Sequence, residues 1–135
     1  MIFLLDTNAI SDLMRQHPKV DARLASLGAS DRVVTCVIAR GEILYGLGRL
    51  APGRRRTDLE QKAQQIFAVL PCEPVPPTAA EHYATVKLAR GSIGLSLGEN
   101  DLWIVAVALA LGATLVSRDS DVRGISGLTV EDWTT

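Results

Sequence analysis

Apolar and polar residues follow one another in short blocks along this chain, and the period of the blocks changes as a mixed fold requires. Ile2-Phe3-Leu4-Leu5 is an unbroken apolar run ended by Asp6, which predicts a strand buried on both faces. From about Asn8 to Arg15 the spacing turns helical, and His17-Pro18 closes that segment. Val20, Leu24 and Leu27 form a second amphipathic piece that stops at Gly28, and Val33 to Cys36 predicts the next buried strand. Ile38, Ile43, Leu47 and Leu50 then recur at mostly helical intervals until Pro52-Gly53 breaks the pattern, which puts Glu42 on a helix just after that strand.

The second half continues the alternation. Thr57-x-x-Glu60 and Thr78-x-x-Glu81 have the form of capping boxes, in which hydroxyl and carboxylate each satisfy an orphan backbone amide, so a helix is expected to start at each. Between them, the proline-dense stretch from Pro71 to Pro77 suits a short edge strand or an extended connector, because proline cannot donate to a sheet ladder. Gly91, Gly94 and Gly98 mark a loop before a helix that opens near Asn100 and ends at Gly112; Thr114 to Ser117 and Leu128 to Val130 predict the last strands. Buried strands separated by helices imply crossover connections and a parallel sheet covered on both faces. The expected fold is therefore α/β, one domain over residues 1–135 with a central parallel sheet flanked by helices.

Composition narrows the function. No run approaches the roughly 18 apolar residues of a membrane span, and Asp6 interrupts the first apolar run too early for a signal peptide, so the cytoplasm is the expected compartment. Cys36 and Cys72 lie too far apart for a zinc pair or a redox motif and read as buried thiols. The net charge of −1 argues against binding nucleic acid through bulk positive charge. Arg54-Arg55-Arg56 is nonetheless a local basic run, equally suited to a solvated helix entrance or to an RNA contact. Trp103 and Trp133, among apolar neighbours, read as core or interface residues. His17 and His82 read as surface residues, and neither a Gly-x-Ser-x-Gly elbow nor a phosphate-binding glycine loop is present.

What remains is acidic. Asp6 follows the first apolar run, Glu42 lies downstream of the second, Asp101 stands before Leu102-Trp103-Ile104-Val105, and Asp119 follows Leu115-Val116-Ser117. If the strands are parallel neighbours, their carboxyl ends share a rim, and carboxylates crowded there repel one another unless a cation or protons neutralise them. Hard oxygen donors of this kind suit Mg²⁺, with Mn²⁺ as an equivalent. Each acid also has an ordinary explanation. Asp6 and Asp101 sit where helices are capped, Asp119 where an Asx turn would form, and Glu42 where a solvated helix face would lie, although its lack of an i,i+4 partner points towards function. Glu99 and Asp121 are second-tier candidates, and spacing does not rank Asp121 against Asp119.

Taken together, Leu4-Leu5-Asp6-Thr7-Asn8, Gly41-Glu42-Ile43-Leu44-Tyr45-Gly46, Glu99-Asn100-Asp101-Leu102-Trp103-Ile104 and Leu115-Val116-Ser117-Arg118-Asp119 resemble, in order, the motifs of the PIN-domain family, and most closely its VapC-type toxin ribonucleases. Gly127 to Trp133 resembles the usual ending. The resemblance implies a Mg²⁺- or Mn²⁺-dependent endoribonuclease, usually dimeric, held in check by a small antitoxin whose tail enters the active-site groove. It maps Asp6, Glu42, Asp101 and Asp119 onto the acidic quartet as metal ligands and catalytic groups. One departure stands out: Val37, Ile38 and Ala39 occupy the stretch where the family commonly carries Ser or Thr, which leaves Thr35 as the nearest hydroxyl. Two rivals are a phospho-receiver signalling domain and a catalytically silent PIN-like binding module. The first fits poorly, because Asp6 lacks an acidic neighbour and the last lysine is Lys87.

Overall fold

Parallel pairing organises the molecule. In the computed structural model, which describes residues 1–135, the strands are β1 (Ile2–Leu5), β2 (Arg32–Cys36), β3 (Cys72–Glu73), β4 (Thr114–Val116) and β5 (Val130–Glu131). They form one sheet in the order β3-β2-β1-β4-β5, and every pair is parallel. The register sets Leu4 opposite Val34 on one side and Leu115 on the other, so the centre of β1 is walled by apolar residues. Phe3, Leu4 and Leu5 are accordingly buried, as a strand covered on both faces must be.

Parallel strands need crossovers, and six helices supply them: α1 (Thr7–Met14), α2 (Pro18–Ala25), α3 (Val37–Gly48), α4 (Arg54–Val69), α5 (Ala79–Ser92) and α6 (Glu99–Leu111). The chain steps from β1 outward to β2 and β3, then returns past β1 to β4 and β5. Crossovers of one hand taken in opposite directions place α1 to α4 and the α5/α6 pair on opposite faces of the sheet. Strand order reverses between β1 and β4, and a crevice opens at their carboxyl ends. Helix α6 is apolar almost throughout, with Leu102 and Ile104 to Ala108 buried, so it behaves as a core element and not as an amphipathic cover. It ends where Gly112 takes φ 63°, a left-handed cap that an L side chain would strain.

Several expectations need correction. Helix α4 begins at Arg54, a turn before Thr57. Gly53, at φ 156°, makes the sharp entry, and the Thr57 hydroxyl donates back to the Gly53 carbonyl at 3.0 Å. Glu60 is therefore free of capping duty and pairs with Arg56 at 3.3 Å. Thr78 does stand at the N-cap of α5, but in a helical conformation and without a side-chain cap bond, so no capping box forms there either. Gly91 lies inside α5 and not in the loop. Leu24 faces solvent more than an amphipathic reading of α2 requires, and Cys72, on the edge strand, is only half-buried, unlike Cys36. His17 and His82 are half-buried, and His17 caps α2 by accepting from the Lys19 amide at 3.2 Å. The last strand pairs through Val130–Glu131, later than the apolar run at Leu128 suggests.

Trp133 is a core residue, only 3% exposed. Its ring packs on Phe3 of β1 at 5.6 Å between centroids, and its Nε1 donates to Glu131 at 2.9 Å. Arg23 of α2 donates to the same carboxylate at 2.7 Å and lies over both rings. The end of the chain is thus tied to the central strand. Trp133→Ala should lower unfolding free energy by about 3–5 kcal/mol, as removal of a buried large aromatic does. Urea unfolding followed by circular dichroism checks this, and a loss under about 1 kcal/mol would mean that the tail does not contribute to the core.

Candidate active site and metal centre

Local chemistry presents each acid at the reversal point. Asp6 continues the sheet ladder, its amide donating to the Val116 carbonyl at 3.2 Å, and its extended backbone turns the chain into α1. Its Oδ1 accepts from the Ala9 amide at 2.8 Å, so Asp6 is itself the N-cap of α1. Asp119 leads a one-turn 3-10 helix (Ser120–Val122) after β4, with Oδ1 accepting from the Asp121 amide at 2.9 Å. Its own amide donates to Ser117 Oγ at 3.1 Å. Asp101 comes from the first turn of α6, where the helix dipole favours an anion, and Glu42 from the N-terminal half of α3.

These four carboxylates share one cavity of about 160 Å³, with Thr7, Asn8 and Ser117 as further polar lining and Ile104, Leu115 and Val122 as apolar wall. Burial pushes the Asp6 carboxyl up, against hydrogen bonds from Ser117 and Ala9 that lower it, and repulsion from Asp101 and Asp119 adds to the rise. Asp101 is raised by burial first and then by Glu42, Asp119 and Asp121. The acids are therefore close enough to repel one another. Two hydroxyls order them. Thr7 Oγ1 donates to Glu42 Oε1 at 2.6 Å, joining α1 to α3, and Ser117 contacts both Asp6 and the Asp119 amide.

The donor set, oxygen only and acidic, fits a hard divalent cation. No three acidic, histidine or cysteine side chains anywhere in the chain close on one point as a preformed cage.

The second-tier candidates lie outside the cavity. Glu99 is exposed and engaged by Lys87 at 2.5 Å and by the Tyr83 hydroxyl. Asp121 is exposed and reaches Asp101 only through its charge. Thr35 is fully buried, and its hydroxyl donates to the Leu5 carbonyl at 3.1 Å, so it ties β2 to β1 and plays no part in the cavity. Sequence reasoning passed over Asp12. It is a buried acid of α1, held by Arg15 at 2.9 Å and by Arg118 at 3.3 Å, the latter pinning the loop after β4 beside Asp119. Its only signal is a charge within an apolar helical face. Thr7 and Ser117 stood in the quoted motifs, but nothing in their spacing marks a bond to Glu42 across 35 positions.

The PIN-domain family model matches residues 3–128. The chain is 31% identical to a Haemophilus influenzae protein named Ribonuclease VapC1, over 99% of each. Its fold superimposes on a chain of the VapBC-1 structure from nontypeable Haemophilus influenzae with a TM-score of 0.88 at 27% identity, covering 100% of both. A chain of Rickettsia felis VapBC2, solved with a promoter DNA fragment, gives 0.89 at 24% identity over 98% and 99%, a likeness of fold. Cavity, strand order and these matches agree: the chain belongs to the PIN-domain family, in its VapC group.

Proposed function

We propose that this protein is a metal-dependent endoribonuclease, the toxin of a toxin–antitoxin pair, hydrolysing RNA phosphodiester bonds at the cavity between β1 and β4. The observation that carries the reading is the convergence of Asp6, Glu42, Asp101 and Asp119, from four separate segments, on one small cavity at the reversal of strand order. The relatives named ribonuclease VapC and the VapBC complexes supply the class of substrate and the antitoxin partner. A homodimer acting on RNA in the cytoplasm completes the reading, and no helix is long and apolar enough to cross a membrane.

Asp6 and Asp101 foremost, with Glu42 and Asp119, would hold Mg²⁺ or Mn²⁺. When bound, the ion supplies a water of lowered pKa and positive charge to offset the charge that develops on phosphorus. Thr7 fixes the Glu42 carboxylate, and Ser117 Oγ accepts from the Asp119 amide at 3.1 Å, which anchors the start of the loop that carries that acid. Thr7 donates a hydrogen bond to Glu42 and so braces that carboxylate between α1 and α3. Water is the attacking group, and no covalent enzyme intermediate forms.

Asp6→Asn and Asp101→Asn should each lower Mg²⁺-dependent RNA cleavage by about 10²–10³-fold while the circular dichroism spectrum is kept. Full activity in either variant would refute the site, and a wild-type protein that binds neither Mg²⁺ nor Mn²⁺ by calorimetry would be a silent module. Glu99→Ala should leave cleavage within about threefold, since a solvent-exposed ion pair outside the cavity contributes little. Stability provides an independent check. Because Asp6 and Asp101 are raised above their ordinary values, the folded chain holds their protons more tightly than the unfolded chain does. The ionised site is therefore a cost above those raised values, relieved as pH falls through them. In chelator at pH 7, Asp101→Asn should raise Tm and flatten its dependence on acidic pH; an unchanged or lower Tm would contradict the repulsion. Mg²⁺ at 100 times its dissociation constant should stabilise the wild type by about 2.7 kcal/mol and the variant by much less.

A further inference from the structure

A groove opens beside the acidic cavity. About 880 Å³ in volume, it runs between α1, α3 and α4 and shares Thr7 and Glu42 with the cavity, so a ligand lying in it leads straight to the carboxylates. Its floor is apolar, with Met14, Ile43, Leu47 and Leu59. Its α4 wall carries Arg54 and Arg55 from the first turn of the helix and Lys62 about two turns further on.

Those three cations have no partners of their own. Arg15, also on the groove, is held by Asp12, and Arg56 by Glu60, whereas no ion pair engages Arg54, Arg55 or Lys62. Asp58 is the one acid that α4 adds to this wall. The position of the two arginines is also unfavourable for the helix itself. They stand in the first turn of a 16-residue helix, at the positive end of its dipole, with no acid in that turn and no side-chain cap from Gly53. Uncapped amides and unpaired guanidinium groups together call for an anion from outside the chain.

We propose that this groove is the track for the RNA backbone. Phosphates on one side of the scissile bond lie along Arg54, Arg55 and Lys62, with the attached bases over the apolar floor, and the strand is thereby led into the carboxylates. The inference rests on the nuclease reading and supplies what that reading lacks. A chain of net charge −1 with a cluster of acids at its centre must hold a polyanion by a local run of positive charge.

The test is the whole protein with Arg54→Ala, Arg55→Ala and Lys62→Ala combined, all three side chains being exposed. Binding of a short single-stranded RNA of mixed sequence is followed by fluorescence anisotropy in chelator, so that no turnover occurs. Three lost phosphate contacts should make the plot of log affinity against log salt shallower by about 2, and weaken binding about 100-fold near 0.1 M salt if the curves converge near 1 M. With Mg²⁺, RNA cleavage should fall through KM, while hydrolysis of bis(p-nitrophenyl) phosphate, a diester too short to reach α4, stays at the wild-type rate. Unchanged RNA affinity and salt slope in the variant would overturn the proposal and leave the groove to a protein partner. A wild type that binds RNA with the steeper slope yet cleaves neither substrate would sink the nuclease reading and keep the track.

Discussion

Reversal of strand order between β1 and β4 is the constraint from which the rest follows. Crossovers of a single hand cannot cover a sheet that grows in both directions from β1 without placing helices on both faces, and they leave a gap where the directions part. Asp6 and Asp119 arrive there because each follows a strand that borders the gap, Asp6 directly and Asp119 three residues on. Asp101 arrives because α6 begins there, and Glu42 because α3 leaves the carboxyl end of β2, the next strand along. The cavity is thus a property of chain topology, and its acidity a property of four residues that topology brings together.

Crowded carboxylates work against the fold that holds them. Asp6 and Asp101 are pushed towards the neutral form by burial and by their neighbours, so a divalent cation is the natural complement. The chain offsets part of the strain with hydrogen bonds that double as positioning devices. Thr7 anchors Glu42, the Ala9 amide and Ser117 hold Asp6, and the Asp121 amide holds Asp119. Capping and function are not competing accounts of Asp6, since one oxygen caps α1 while the carboxylate lines the cavity. Around this centre the charges are sorted: acids inside, unpaired cations along α4.

Much of this could be read from residue order. Ile2 to Leu5 and Val33 to Cys36 are strands because a buried apolar run of only four residues is too short for a core helix such as α6, and Gly112 ends α6 because a left-handed cap needs it. The start of α4 was misread for a local reason. A Thr-x-x-Glu spacing fits a capping box, but it equally fits a helix interior in which the hydroxyl bonds backwards and the acid pairs with Arg56. Glu99 and Asp101, two positions apart, look alike in sequence, yet a two-residue step on a helix turns them to different sides, one to Lys87 and the other to the cavity.

By itself, the sequence determined what depends on near neighbours: which runs are buried, the left-handed stop of α6 at Gly112, the parallel α/β class, and which four acids stand beside the apolar runs. The tertiary structure decided what depends on distant ones. It chose Asp119 over Asp121 as the cavity residue, linked Thr7 to Glu42 and buried Asp12 between two arginines. It also set Arg54, Arg55 and Lys62 along a groove that opens into the site. The division is physical. Hydrophobic periodicity and capping act over a few residues along the chain, whereas Coulomb repulsion, side-chain hydrogen bonds and cavities depend on distances in space that only the packed sheet and helices set.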